Sequence, residues 1–264
     1  MNALASLYKH RTLIGQMVKR EILGRYKGSV LGIFWSFVNP LIMLAVYTFV
    51  FSFVFNARWS TESESKAEFA LALFIGLMVH SLFAECINRA PSLIINNVNY
   101  VKKVVFPLEI LSVITMGSTL FHFMISLLVW VSLFLFINHN LYWTVVYLPL
   151  IILPLVLFTL GVTWFLSSLG VYLRDVGQLT GVVTTVMLFL APVFYPLSVL
   201  PEQYHIYIYA NPLTLIIEQS RAVLMFGQVP DFKALAVALL VSILVAWLGY
   251  IWFSKTRRGF ADVL

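Results

Sequence analysis

Between Ile110 and Leu173 the chain reads ILSVITMGSTLFHFMISLLVWVSLFLFINHNLYWTVVYLPLIILPLVLFTLGVTWFLSSLGVYL, without one Asp, Glu, Lys or Arg. A helix crosses the hydrocarbon layer of a bilayer with about 20 apolar residues, so this stretch is too long for one crossing. The polar triplet Asn138-His139-Asn140 divides it into a span near Ile110–Ile137 and another near Thr144–Gly170, the latter kinked near its start by Pro149 and Pro154. Working outward, Phe69–Ala84 is a short uncharged span and Ile33–Phe55 precedes it. On the other side, Gln178–Tyr195 ends around Pro192 and Pro196, and Ala234–Phe253 closes the series. The expected fold is all-α, with six transmembrane helices.

Composition agrees. Of 264 residues, 61% are hydrophobic and 11% charged, against about 25% charged in a soluble domain. No polar stretch is long enough for a second, soluble unit, so we expect a single membrane domain over residues 1–264: an interface helix at 1–27, spans and loops at 28–253, and a tail at 254–264. Met1–Lys27 is too long and polar for the leader of a cleaved signal. The lone Cys86 can form no intrachain disulfide and has no companion metal ligands, so it reads as a packing residue.

The net charge of +6 sits beside the apolar spans, which argues for topology and anionic headgroups and against nucleic acid. Alternating six spans puts thirteen basic residues on one face, in the N-terminal segment, at Arg89, Lys102, Lys103 and Arg174, and in the tail. The other face keeps four: Arg58, Lys66, Arg221 and Lys233. Positive charge marks the cytoplasmic side, so both termini are expected inside.

Two segments depart from an up-and-down bundle. Residues 2–27 mix Leu4, Leu7, Ile14, Met17, Val18 and Ile22 with six basic residues, as in an amphipathic helix in the cytoplasmic interface. Pro196–Lys233 is Tyr-rich, interrupted by Pro201, Pro212 and Pro230, and too broken to span. We expect one or two short re-entrant helices there on the outer side.

No phosphate loop of the form GxxxxGK[ST] is present, nor HExxH or GxSxG. The spans carry no charged residue away from their ends, whereas ion-coupled transporters need such groups. His80 and His122 lie within spans; they read as neutral imidazoles hydrogen-bonded inside the bundle, the alternative being a proton relay. The chain moves or anchors something, with energy supplied from elsewhere.

The stretch Arg20-Glu-Ile-Leu-Gly-Arg-Tyr-Lys-Gly-Ser-Val-Leu-Gly-Ile-Phe-Trp35, with Asn39-Pro40 and Val46-Tyr47, resembles the entry to the first span in ABC-2 type polysaccharide export permeases. Tyr100-Val-Lys-Lys-Val-Val-Phe-Pro-Leu-Glu109, Tyr172-Leu-Arg-Asp175, Ala191-Pro-Val-Phe-Tyr-Pro196, and Asn211-Pro212 followed by Arg221 continue the likeness in order along nearly the whole chain. Glu21 stands where Asp is expected. The resemblance implies a homodimer in the bacterial inner membrane, paired with two cytoplasmic P-loop ATPase subunits that hold ATP and Mg. This chain would bind no cofactor and would be a transport subunit, not an enzyme. The cargo implied is a polysaccharide on undecaprenyl pyrophosphate or a related lipid, lipopolysaccharide O-antigen above all, with capsule and teichoic acid exporters as siblings.

On that resemblance Asn96, Asn97, Tyr100, Lys102, Lys103, Arg174 and Asp175 would couple to the ATPase. The plainer role of Lys102, Lys103 and Arg174 is topology, and that of Asp175 is capping. Arg20, Glu21, Arg25 and Lys27 of the basic helix would sense pyrophosphate, or bind anionic lipid. Trp35, Tyr47, Phe51, Trp59, Phe194, Tyr195 and Tyr204 would line a channel whose aromatic faces let sugars slide, or else pack against lipid and core. Gly24, Gly28 and Gly32, spaced by four, allow close helix packing or a bend into the first span. Glu85 and Arg89 form a helix-surface pair. A drug or small-lipid exporter, and a membrane glycosyltransferase, are the competing classes; the second would need an intramembrane carboxylate.

Overall fold

The computed structural model describes residues 3–50, 66–102 and 106–264, all helix and connecting turns with no strand among them. Four stretches are long and apolar enough to cross a bilayer: Lys66–Ser92, Ile110–Asn138, Trp143–Tyr172 and Phe232–Val263. Gly32–Thr48 and Val176–Leu190 are apolar but shorter. The far end of the expected first span lies outside the described residues.

The N-terminal segment forms α1 (Ala3–Lys9) and α2 (Arg11–Arg25). Leu13, Ile14, Met17 and Val18 of α2 turn inward while Arg11, Lys19 and Arg20 stay exposed. That face packs on protein, against α6 (Ile110–Asn138), where Gly117 leaves room for Val18. Between α2 and α3 (Trp35–Thr48) the chain turns through Gly28 at φ +87 and Gly32 at φ +52, left-handed values that glycine adopts without penalty. A Cβ at Gly24, Gly28 or Gly32 would meet nothing within 4 Å. Gly28 and Gly32 therefore serve a bend, and none of the three glycines is closely packed among the described residues.

α4 (Lys66–Arg89) runs beyond the expected Phe69–Ala84 at both ends and is the most enclosed helix, packed by α3, α6 and the three helices α7 (Leu148–Tyr172), α8 (Val176–Leu190) and α10 (Pro212–Leu224). α6 ends at His139, whose φ of 56 is left-handed, so the polar triplet breaks the long apolar run where expected. Pro149 falls in the first turn of α7 and Pro154 inside it. α8 stops at Leu190 because Ala191, preceding Pro192, is pushed to the extended region at ψ 152. Its 15 residues rise roughly 22 Å, short of the ~30 Å hydrocarbon layer. The segment 196–233 holds two short helices, α9 (Glu202–Tyr209) and α10.

The chain ends gather at one end of the bundle. Past α11 (Phe232–Thr256), α12 (Phe260–Val263) contacts α7 and α5 (Val98–Lys102). Glu109, 3% exposed, accepts from Ser6 at 2.7 Å and pairs with Arg257 at 2.8 Å, and its carbonyl accepts from the Trp164 indole at 2.9 Å. Lys102 donates to the Leu264 carbonyl, and the Tyr172 hydroxyl donates to that of Thr256.

Candidate functional site

The densest charge cluster lies where α2 crosses α4 and α6. Helical spacing puts Glu21 and Arg25 one turn apart on α2, and Glu85 and Arg89 one turn apart on α4. Arg25 pairs with Glu85 and Arg89 with Glu21, while Arg89 reaches Glu85 along its own helix at 3.5 Å. His122 of α6 closes the group: Nδ1 lies 3.0 Å from Arg25 Nη1 and 3.4 Å from Glu85 Oε2, and Nε2 lies 3.2 Å from the Tyr26 hydroxyl. The imidazole thus bridges the Arg25–Glu85 pair to the Tyr26 hydroxyl. Burial pushes the Tyr26 phenol up, with Arg25 opposing, so Tyr26 joins as a neutral hydroxyl. His80 is simpler, its Nε2 2.9 Å from the Thr184 carbonyl.

The network has a cavity on each side. One, of about 330 Å³, is lined by Arg20, Glu21, Arg89, Ser92, Asn96 and Asn97 over an apolar floor. The other, of about 210 Å³, opens between α3, α4 and α6 and takes Arg25, Glu85 and His122 as its charged wall.

The expected coupling residues share this end of the bundle. Asn96 is exposed, and Asn97 donates to the Leu93 carbonyl at 2.8 Å. Tyr100 accepts from Arg20 at 3.0 Å and stacks on Phe106, ring centres 4.4 Å apart. Lys102 is tied to Leu264, and Lys103 lies outside the described residues. Arg174 and Asp175 are exposed; Asp175 takes the N-cap position of α8 but its side chain makes no capping bond. Of the basic-helix residues, Arg20, Glu21 and Arg25 are engaged and Lys27 is exposed.

The aromatic set is only partly brought together. Tyr47 meets Phe194 with ring centres 5.6 Å apart, and Phe194 meets Phe189 at 5.5 Å. Tyr195 donates to the Phe189 carbonyl at 3.3 Å. Trp35 is half-buried at the start of α3 and Tyr204 half-exposed on α9. Phe51 and Trp59 lie outside the described residues.

Sequence reasoning missed three things. His122 was read as hydrogen-bonded inside the bundle, without the ion network that it joins. Glu109 was passed over as the end of a motif, although a single carboxylate preceding a long uncharged span is a signal. Arg221 was counted as an outer charge, yet it is 1% exposed. Its guanidinium donates to the carbonyls of Ala72 at 3.1 Å, Pro192 at 2.5 Å and Val193 at 3.1 Å, and pairs with Glu218 at 2.8 Å. It stitches α10 to α4 and to the break after α8.

The family model described as ABC-2 type transporter matches residues 12–225. The O-antigen export system permease protein RfbA of Myxococcus xanthus is 28% identical over 97% of this chain and 96% of its own length. Its namesake from Klebsiella pneumoniae is 28% identical over 96% and 95%. The polysialic acid transport protein KpsM of Escherichia coli is 22% identical over 90% and 91%.

Proposed function

Because the chain belongs to the ABC-2 type transporter family, whose model matches most of its length, we propose that it is the permease subunit of an ATP-driven polysaccharide exporter in the bacterial inner membrane. Its cargo is a lipid-linked polysaccharide, in the first place lipopolysaccharide O-antigen on undecaprenyl pyrophosphate. The observation that carries this reading is the likeness to O-antigen export permeases over nearly the full length of both chains. The likeness to a polysialic acid transport protein makes capsule export the second reading.

In this reading the chain crosses six times. α3 with the residues beyond it and α8 supply the first and fifth crossings, α4, α6, α7 and α11 the others, and α9 and α10 re-enter from the outer side. Both termini are cytoplasmic. Support comes from the contacts of Glu109 and Lys102, which join α1, the segment before α6 and the tail at one end of the bundle.

The chain has no phosphate loop, so ATP and Mg belong to a separate subunit, and two permeases pair with two ATPases. Asn96, Asn97, Tyr100, Lys102, Lys103, Arg174 and Asp175 form the face that the ATPase grips. Arg20 and Arg25, with Glu21 and Lys27, meet the pyrophosphate, for which the guanidinium fork is suited. The network to Glu85 and Arg89 then carries displacement of α2 into α4. Tyr47, Phe194 and Tyr195, with Trp35, Phe51, Trp59 and Tyr204, offer flat apolar faces to passing sugar rings.

Deleting the gene tests this. Surface polysaccharide should vanish, undecaprenyl-linked polymer should accumulate inside the cell, and the tagged chain should co-purify with a P-loop ATPase while hydrolysing no ATP alone. Unchanged surface polysaccharide in the deletion strain would overturn the reading.

A further inference from the structure

The cavity of about 210 Å³ between α3, α4 and α6 has two kinds of wall. Pro40 and Met43 of α3 and Phe74, Leu77 and Met78 of α4 give it an apolar side. Asn39, Ser81 and Ser126 line it as well, and among the described residues none of their side chains makes a hydrogen bond. At the end nearest α2 sit Arg25, Glu85 and His122, already bonded to one another.

Each wall excludes a class of occupant. The one arginine of the lining is already paired with its one glutamate, so no unpaired guanidinium is left to draw an anion. An acyl chain would seal Asn39, Ser81 and Ser126 away from any partner, which is unfavourable for polar groups. The volume lies below the roughly 300–1,000 Å³ of sites for drug-sized ligands, so it holds one ring and not an oligomer. A pyranose meets all three conditions: its C–H face lies on Pro40, Met43 and Leu77, and its hydroxyls reach the amide of Asn39 and the hydroxyls of Ser81 and Ser126.

We propose that this cavity is a binding site for a single neutral, hydroxyl-rich sugar ring, an inference that rests on the polysaccharide-export reading and names a place within each protomer where the cargo is held. The charged wall positions it at the end where α2 crosses, so a glycan unit seated here touches the same Arg25–Glu85 pair that links α2 to α4.

The experiment uses the full chain in detergent micelles, with methyl α-glucoside, methyl β-galactoside and methyl N-acetyl-β-glucosaminide as probes and glycerophosphoethanolamine as the headgroup control. Saturation-transfer NMR reads binding. S126C is prepared and then labelled with N-ethylmaleimide, so the cavity is filled only after folding; the native Cys86 is fully buried and out of reach. At least one glycoside should give a signal in wild type and unlabelled S126C, falling at least about fivefold on labelling. S81L should lose it likewise. No glycoside signal, a signal indifferent to labelling, or saturation of glycerophosphoethanolamine alone would overturn the proposal. The two readings fail separately. If the deletion strain loses its surface polysaccharide while no glycoside binds here, only the cavity assignment falls; if the surface polysaccharide persists, the export reading falls whatever binds.

Discussion

Gly249 of α11 lies directly against the backbone carbonyl of Gly161 of α7, and a Cβ added at Gly161 would in turn come within 2.5 Å of the Val245 carbonyl oxygen. Lipid gives helices little hydrophobic reason to associate, so close backbone approach at small residues is what holds such a pair.

That contact predicts a difference in sign. In a helix interior, Gly→Ala gains up to about 1 kcal/mol from propensity alone. At Gly181 of α8 a Cβ meets nothing within 4 Å, so G181A should raise the thermal midpoint in detergent. G249A should lower it, by roughly 1–3 kcal/mol of stability as the two helices are forced apart. Midpoints that rise in both variants would contradict the contact.

The Arg221 guanidinium donates to three carbonyls, those of Ala72, Pro192 and Val193. R221K keeps the charge but cannot span them, leaving at least one buried acceptor unpaired. The expected cost is about 2–4 kcal/mol. Limited proteolysis should then cut first in the segment from Pro192 to Pro201, which loses its anchor.

Glu109 and Arg257 make an asymmetric pair, the carboxylate buried and the guanidinium half-exposed. R257M leaves a charge sealed with only Ser6 for company, whereas E109Q leaves an arginine that water can still reach. R257M should therefore be the more destabilising, by about 1–3 kcal/mol, and E109Q/R257M should recover part of the loss. Thermal unfolding of the three variants in one detergent ranks them.

Single cysteines test the orientation proposed for the chain. K27C and R258C should react with a membrane-impermeant maleimide only in inverted vesicles, and E202C only in right-side-out ones. Labelling of K27C and R258C from opposite faces would remove the six-crossing scheme.

Much of the fold was legible because its signals are local. The break at Asn138–Asn140, the end of α8 ahead of Pro192 and the two short helices within 196–233 each follow from a few adjacent residues. The site was less so. Glu21 finds Arg89, and Ser6 finds Glu109, across most of a helix bundle, and nothing in the composition of either segment points to its partner. Basic residues that flank apolar spans look alike in sequence whether they are exposed, as Arg174 is, or engaged in a network, as Arg25 is. The glycines spaced by four carried a packing motif in form, yet the backbone angles of Gly28 and Gly32 serve a bend. Arg221 was misjudged for the same reason: its use is set by carbonyls freed where α8 breaks, a feature visible only once the helices are placed.

Phe260 is fully buried, standing edge-on to Phe253 with ring centres 5.6 Å apart and 6.0 Å from the Tyr172 ring. The last described turn is therefore a plug seated beneath α7, not a free tail. Clipping the chain after Arg258 would uncork that floor, and a reporter fused there would have to be accommodated inside the protein. A purification handle belongs beyond Leu264, with a spacer long enough to leave the plug in its seat.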